Sequence, residues 1–343
     1  MKKNPSISVN ILNYNGKKFL KRCMDDLLKQ EYPNFRIVFI DNASIDGSVE
    51  YIEQSYSKEI NSKKIEIISF NKNYGFAGGY NRVYSRDKSD YFLLLNNDIG
   101  IPNKMLLSNI IETAKKNNFA ITSGSEYPFN EKKFKEKIKF DALGLLGFHF
   151  PSVLNENNLF SSGGPCVLVD RKKIDYLFPE EYFAYGEDIY LCWRTKLLGY
   201  SLGTSTQAKF IHYGRGTGGK KSPFVRYYAE KNRNANLLIF FEIKNLFKIF
   251  PIYLLENLIK AGYSIKYPRL LWALIRSFFW DISHLKLIFQ YRKKIQKERK
   301  ISDKEILKVM SYKVFPEHLS KISKYLNSFV KAYCRVVRIK TYD

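Results

Sequence analysis

The chain has 343 residues, 45% of them hydrophobic and 16% aromatic, which allows a large core and excludes a generally disordered protein. Its 57 Lys and Arg against 33 Asp and Glu give a formal charge of +24, which favours an anionic partner: nucleic acid, acidic lipid or a phosphorylated substrate. Cys23, Cys166, Cys192 and Cys334 form no CxxC pair and no zinc-like spacing, so they read as reduced core thiols. The start of the chain shows no secretory leader, and no apolar run approaches the eighteen or so residues of a membrane span. The expected location is the cytoplasm, with a peripheral place on the cytoplasmic membrane face as a further option.

Taken in order, Ser6 to Leu12 reads as a strand that ends at Asn13-Tyr14-Asn15-Gly16. Phe19, Leu20, Cys23, Met24, Leu27 and Leu28 then recur at helical spacing, and Tyr32-Pro33-Asn34 breaks that helix. Phe35 to Ile40 is a second strand running into Asp41-Asn42-Ala43-Ser44-Ile45-Asp46-Gly47-Ser48, with a helix starting near Ser48 as its N-cap. A third strand, Ile65 to Phe70, leads into a glycine-rich turn from Asn73 to Asn81, and Tyr91 to Leu95 is the fourth strand. Strands alternating with helices at this rhythm predict an α/β fold, a mostly parallel sheet with helices on both faces.

Beyond it, the pattern predicts a helix over 104–116, a strand over 119–122 and a long loop-like stretch over 124–160. Gly163 to Asp170 reads as a strand, Glu187 to Leu198 as a helix stopped by Gly199, and Ala208 to Ile211 as a strand leading to His212. A basic, glycine-rich loop follows, with Arg215, Lys220 and Lys221. From about Pro223 onward, apolar and basic residues interleave on long helical patterns. The boundaries expected are a catalytic domain over 1–222, with a donor half at about 5–100 and an acceptor half at 101–222. A helical, basic extension covers 223–343.

Three clusters carry chemistry. The apolar run Tyr91 to Leu95 ends at Asn96-Asn97-Asp98, at the carboxyl edge where open α/β sheets bind ligands, and hard oxygen ligands there suit magnesium or manganese. An ordinary Asn/Asp turn fits the tripeptide equally. Glu187 and Asp188 are adjacent carboxylates that raise each other's pKa, which suits acid–base work, although acids in a helix's first turn also serve its dipole. Gly75, Gly78 and Gly79 allow either close backbone approach to a ligand or tight helix–sheet packing.

The ordered set of Asn13-Tyr14-Asn15, Asp41 to Ser48, Asn73 to Asn81, Leu95-Asn96-Asn97-Asp98, Gly186-Glu187-Asp188 with Cys192-Trp193-Arg194, and His212 resembles the inverting glycosyltransferases of family 2, with the GT-A fold. The resemblance covers about residues 5–240 and is nearest to the rhamnosyltransferase-like branch. It implies hexosyl transfer from a nucleoside-diphosphate sugar to a hydroxyl of a glycan or lipid-linked acceptor, in cell-surface polysaccharide or glycoconjugate synthesis. Donor contacts are implied at Asn13, Asn15, Asp41, Asn73, Asn81, Asn97 and Asp98, with a structural role for Asp46. A divalent metal, Mn2+ or Mg2+, is implied at Asp98 and His212, with Asn96 secondary because an amide stands where many relatives carry a carboxylate. Asp188 is the implied base, with Glu187 next. Arg194 and Trp193 are candidates for orienting roles, weighed against packing. Arg215 and Lys220 sit on a loop that would close over the donor.

The basic tail fits an anionic membrane surface or, equally, packing on the catalytic domain or on a second copy in a homo-oligomer. Two rival functions are a basic nucleic-acid-binding protein and a nucleotidyltransferase on a similar sheet. The first lacks any recognisable nucleic-acid-binding signature, so no nucleic-acid partner is expected. The second lacks a glycine-rich phosphate loop after the first strand.

Overall fold

The structure is a computed structural model and describes residues 4–127, 140–152, 164–213, 222–315 and 321–343. In chain order the elements are β1 (Ile7–Asn13), α1 (Lys17–Leu28), β2 (Phe35–Asp41), α2 (Ser48–Ser55), α3 (Ser57–Asn61), β3 (Ile65–Ser69), α4 (Gly75–Tyr84), β4 (Tyr91–Asn96), β5 (Ile99–Gly100), α5 (Leu106–Lys116) and β6 (Ile121–Tyr127). Next come β7 (Phe140–Gly144), β8 (His149–Ser152), β9 (Cys166–Asp170), α6 (Glu187–Leu197) and β10 (Leu202–His212). Helices α7 (Pro223–Phe240), α8 (Ile243–Ser264), α9 (Pro268–Ser283), α10 (Leu285–Glu298) and α11 (Asp303–Leu307), strand β11 (Met310–Ser311) and helix α12 (Lys321–Val336) complete the chain.

These elements fall into two compact units. One comprises Met1–Ile138, Ser162–Ala184 and Ser201–Gly216; the other comprises Lys139–Ser161, Tyr185–Tyr200 and Thr217–Asp343. The division differs from the expected boundary at 222, because α6 and the β7–β8 hairpin group with the C-terminal helices.

The first unit is built on an eight-stranded sheet of order β3-β2-β1-β4-β9-β6-β10-β5. Neighbours are parallel from β3 through β4 and again between β6 and β10, while β9 runs antiparallel to both β4 and β6. Strand β4 is sandwiched between β1 and β9, which is why its residues Phe92 to Leu95 are all apolar and buried. On one face, Leu20, Cys23, Met24 and Leu27 of α1 and Leu107, Ile110 and Ile111 of α5 pack with Val9, Ile11, Ile37, Phe39, Leu93 and Leu95. On the other face, Tyr80 and Tyr84 of α4 meet Phe92 edge-on, and the Tyr80 hydroxyl donates to Leu95 O at 2.9 Å. All four cysteines are free and buried, as their apolar settings suggest.

Two local expectations change. The stretch read as a turn over 73–81 is mostly helix α4, and its glycines serve packing. Gly75 has φ +72°, and a Cβ there would sit 2.3 Å from Phe183 O; a Cβ on Gly79 would sit 2.6 Å from Leu12 Cδ1 on β1. Ser48 is the first residue of α2 rather than its cap. Gly47, with φ +75°, precedes it, and the Asp46 carboxylate accepts the Ser48 N–H at 3.2 Å and the Lys17 N–H of α1 at 2.9 Å. That bridge between two helix N-termini is the structural role expected of Asp46.

The second unit buries a polar stretch within its apolar core. In α7, residues Glu230 to Asn236 are all buried, most of them charged or amide-bearing. Glu230 lies 2.7 Å from Arg233 and 2.6 Å from Lys260, and Glu256 lies 2.5 Å from Lys260 and 3.4 Å from Arg233. Burial by itself would raise the Glu230 carboxyl, but the Arg233 and Lys260 charges outweigh it and hold the group well below its ordinary range. Phe148 packs under both cations, 4.8 Å from the Arg233 guanidinium and 4.6 Å from Lys260 Nζ. A short three-stranded sheet, β11-β7-β8, completes this unit.

Removing one member of such a cluster strands the opposite charges. Glu230→Ala should therefore lower stability by about 3–5 kcal/mol, measured by urea unfolding. Because the folded-state pKa of Glu230 is depressed, its contribution is complete above the ordinary value of 4.5 and is lost as pH falls below it. Relative to wild type, Glu230→Gln should flatten the loss of urea midpoint on the acid side.

Candidate active site

The parallel strands β1, β2 and β4 deliver Asn13, Asp41 and Asn96 to one sheet edge, and Asn13 and Asp41 are register partners. There the amides and carboxylates are tied into a chain. Asn13 Nδ2 donates to Asp41 Oδ1 at 3.2 Å and to Ser44 Oγ at 3.0 Å, and its Oδ1 accepts from Asn97 Nδ2 at 2.6 Å. Asp41 Oδ2 accepts the Ser44 N–H at 2.9 Å, while Ser44 Oγ accepts the Asn15 N–H at 2.9 Å and Asn15 Oδ1 accepts the Ile45 N–H at 2.8 Å. Asn15 and Ala43 both adopt left-handed conformations, with φ 52° and 64°, so the two loops meet at sharp turns. Four of the expected donor residues (Asn13, Asn15, Asp41 and Asn97) thus form one hydrogen-bonded cluster.

Asn73 and Asn81 are engaged differently. Asn73 Oδ1 accepts from Asn42 Nδ2 and from the Gly75 N–H, both at 2.8 Å. Asn81 grips the Phe178 main chain with both ends of its amide, at 2.9 and 3.2 Å. Both residues serve local architecture in this structure.

Asp98 and His212 meet because a two-residue strand follows Asp98 directly. In the antiparallel pairing of β5 with β10, Ile99 lies opposite His212, and the Tyr213 N–H donates to Asp98 O at 2.8 Å. Asp98 Oδ2 then lies 3.2 Å from His212 Nε2, and Asp98 Oδ1 is buried with no hydrogen-bond partner among the described residues. The hydrogen bond to Asp98 raises the His212 pKa, against a smaller opposing effect of burial. Glu126 Oε1 stands 3.8 Å from His212 Nδ1, on the ring's other side. Asn96 takes no part in the Asp98–His212 contact; its N–H donates to Pro165 O at 2.9 Å. Arg22 stacks on Tyr213 at 4.3 Å beside this strand end.

An oxygen kept buried and unshared next to an imidazole nitrogen is a suitable pair of ligand atoms for a divalent ion. Among the described residues no group of three His, Cys, Asp or Glu gathers for metal. Further ligands would have to be phosphate oxygens and water, the usual coordination of magnesium held by one or two protein groups.

In the second unit, α6 opens with Tyr185 and Gly186 in left-handed conformations, φ 64° and 91°, which sets Glu187 and Asp188 in its first turn. Two amides of α7 fix that entry: Asn232 Nδ2 donates to Tyr185 O at 2.7 Å and Asn236 Nδ2 to Gly186 O at 3.1 Å. The two carboxylates then diverge. Glu187 is buried with Oε2 unpartnered among the described residues, and burial, reinforced by the charge of Asp188, pushes its carboxyl up to about 8. Asp188 is 37% exposed and lies 3.7 Å from His149 Nε2. Of the pair, Asp188 is therefore the accessible carboxyl group.

Trp193 and Arg194 are both fully buried. Trp193 stacks on Phe240 at 5.0 Å and meets Phe241 edge-on, so it is a core residue and no sugar platform. Arg215, Lys220 and Lys221 lie outside the described residues. Asn42 and Ser44 belong to the Asp41 to Ser48 motif but are not singled out by it, and Glu126, His149 and the two α7 amides carry no signal in the sequence. Gly16 is the residue whose signal was available, since it closes the Asn13-Tyr14-Asn15 motif.

A mostly parallel α/β sheet whose edge carries an Asn–Asp cluster beside an Asp–His pair defines a GT-A-type transferase. The chain belongs to glycosyl transferase family 2, whose model matches residues 8–178. Over 113 residues it is 29% identical to the processive diacylglycerol beta-glycosyltransferase of Mycoplasma genitalium, a match that takes in 33% of this chain and 33% of that protein's length. Among solved structures it is similar to S. aureus TarS 1-349 in complex with UDP-GlcNAc, with TM-score 0.54, 18% identity, and coverage of 96% of this chain and 92% of that one. It is also similar to the mannosyltransferase PcManGT of Pyrobaculum calidifontis in complex with GDP-Man and Mn2+, with TM-score 0.52, 12% identity, and coverage of 99% and 88%. At these identities the likeness is one of fold.

A Cβ on Gly16 would lie 2.0 Å from Asn97 Nδ2 and 2.6 Å from Asn13 Oδ1. Gly16→Ala should therefore expel the Asn97 amide from the cluster and cost about 1–2 kcal/mol for the lost hydrogen bond and its neighbours. Urea unfolding would measure the cost, and a second substitution, Asn97→Ala, should add little to it.

Proposed function

We propose that the protein moves a hexosyl group from a nucleoside-diphosphate sugar to a hydroxyl of a glycan or lipid-linked acceptor, with inversion at the anomeric carbon. The observation that carries this reading is the Asp98–His212 pair at the sheet's carboxyl edge, with one carboxylate oxygen buried and unshared. The Asn13–Asp41–Ser44–Asn97 cluster beside it offers fixed donors and acceptors suited to a nucleoside, and these residues are proposed to hold and orient the donor. Structures of similar fold carry UDP-GlcNAc, or GDP-Man with Mn2+, which supports a sugar-nucleotide and a divalent ion here too. When bound, the ion would be held by Asp98 and His212 and would supply Lewis-acid neutralisation of the diphosphate. Glu126 would orient the His212 ring through Nδ1.

Asp188 is proposed as the base. It takes the proton of the acceptor hydroxyl as that oxygen bonds to the anomeric carbon. The bond from this carbon to the diphosphate oxygen breaks at the same time, and the nucleoside diphosphate leaves with the electron pair. Glu187, held neutral by burial, adds no second charge beside it. A general base contributes typically 10²–10⁴-fold, so Asp188→Asn should reduce turnover by about that factor while leaving donor affinity unchanged.

A thermal-shift panel of nucleotide sugars with and without manganese or magnesium tests the donor side. One nucleoside-diphosphate class should raise the melting temperature in a metal-dependent way, and Asp98→Asn should remove the metal-dependent part. Silence across the whole panel, or near-wild-type transfer by Asp188→Asn, would overturn the corresponding assignment.

A further inference from the structure

We propose that the C-terminal helices form a docking surface for an anionic lipid bilayer, entered through the outer face of α8. This helix is amphipathic in the wrong sense for a solvated one. Its buried side carries Asn245, Glu256, Asn257 and Ser264 beside Ile249 and Ile252, and Glu256 and Lys260 join the ion-pair cluster of α7. Its outer side presents Ile243, Phe247, Phe250, Leu254 and Leu258 at successive three- and four-residue steps, continued by Ile265 just past the end. Phe247 is 75% exposed and Ile265 68%. At 1.5 Å per residue the stripe runs for about 33 Å, and it carries no acid along its length.

Neighbouring helices repeat the pattern. Trp272 and Phe279 on α9 are exposed, and α12 shows a second stripe of Ile322, Tyr325, Phe329 and Val336. The Tyr333 hydroxyl anchors α12 to α8 by donating to Lys248 O at 2.9 Å. Soluble proteins rarely leave an apolar stripe as long as that of α8 uncovered.

Charge selects the occupant. Residues 243–298 contain eleven Lys and Arg against three acids, and two of those acids, Glu256 and Asp281, are buried. Lys244 on α8, Arg269 and Arg276 on α9, and Lys293, Lys294 and Lys297 on α10 are exposed. A second copy meeting this face about a two-fold axis would bring the same cationic excess against itself. An anionic bilayer instead receives the aromatic and aliphatic side chains at its interface while its headgroups neutralise the flanking cations. Among the described residues no helix is long and apolar enough to cross a membrane, which fits a helix lying in the interface plane.

The test is co-sedimentation of the full chain with phosphatidylcholine vesicles, with or without phosphatidylglycerol. Wild type should bind the anionic vesicles at least about tenfold better than the neutral ones, and high salt should weaken that binding. Phe247→Glu with Phe250→Glu, and independently Leu254→Ser with Leu258→Ser, should each reduce binding about tenfold while far-UV circular dichroism stays unchanged. Failure of wild type to bind, equal binding to both vesicle types, or wild-type binding by both variants would each overturn the proposal. So would a wild-type dimer in sedimentation velocity that the variants dissolve and that binds no vesicles, because the occupant would then be a second copy. Vesicle binding needs neither donor nor acceptor, so its failure is distinguishable from failure of the sugar-transfer reading.

Discussion

The pairing of Ile99–Gly100 with Ile211–His212 is the constraint on which the candidate metal pair rests. Two residues of ladder fix the distance between a carboxylate at the end of one buried strand and an imidazole more than a hundred positions later in the chain. The rest of the sheet makes that pairing dependable, because β4 is locked between β1 and β9 and β10 runs beside β6 in the same sheet. A shift of one residue would turn the His212 side chain to the opposite face. The arrangement also leaves Asp98 Oδ1 buried without a partner among the described residues, a condition that costs about 1–3 kcal/mol in a folded protein. Retaining such an atom at a sheet edge is consistent with a ligand that satisfies it.

Around that pair the structure invests in fixed amides instead of additional charge. Asn13 and Ser44 hydrogen-bond Asp41, Asn97 bonds Asn13 and Asn15 bonds Ser44, and Asn42 links the same edge to α4 through Asn73 and Tyr74 N. Each group is held by another that is itself held, so the polar edge is set before any ligand arrives. Asp41 is the sole carboxylate in this cluster, and it already accepts from Asn13 and from the Ser44 main chain. A site of this kind distinguishes ligands by hydrogen-bond geometry more than by net charge.

Much of the first unit was legible because its signals are local. The apolar run Tyr91 to Leu95 and the helical spacing of Leu20, Cys23, Met24 and Leu27 each follow from one element's burial. What was not legible depends on distant partners. Helix α4 was hidden by three glycines, whose helical placement is favoured by Phe183 and Leu12 rather than by propensity. The antiparallel insertion of β9 between β4 and β6 leaves no mark in an apolar strand that reads the same in either direction. Asp98 and His212 were both readable as candidates, but Glu126 and His149 sit in a stretch without periodicity. The contrast between Glu187 and Asp188 arises from burial that two adjacent acids do not disclose.

The second unit was less legible for a different reason. Burial of polar residues is normally the exception, yet Glu230 to Asn236 are buried while Phe247, Phe250 and Leu254 are exposed, and the ion pairs make that arrangement workable. Arg233 and Lys260 each face two carboxylates, so no charge of the cluster is buried alone. Helices that meet through polar and ionic groups gain little from the hydrophobic effect at that contact, and their apolar residues are free to face outward. In water such exposure is unfavourable by about 25 cal/mol for each Å² of apolar surface. The same surface becomes favourable at a bilayer interface, where the exposed lysines and arginines gain a counter-charge as well.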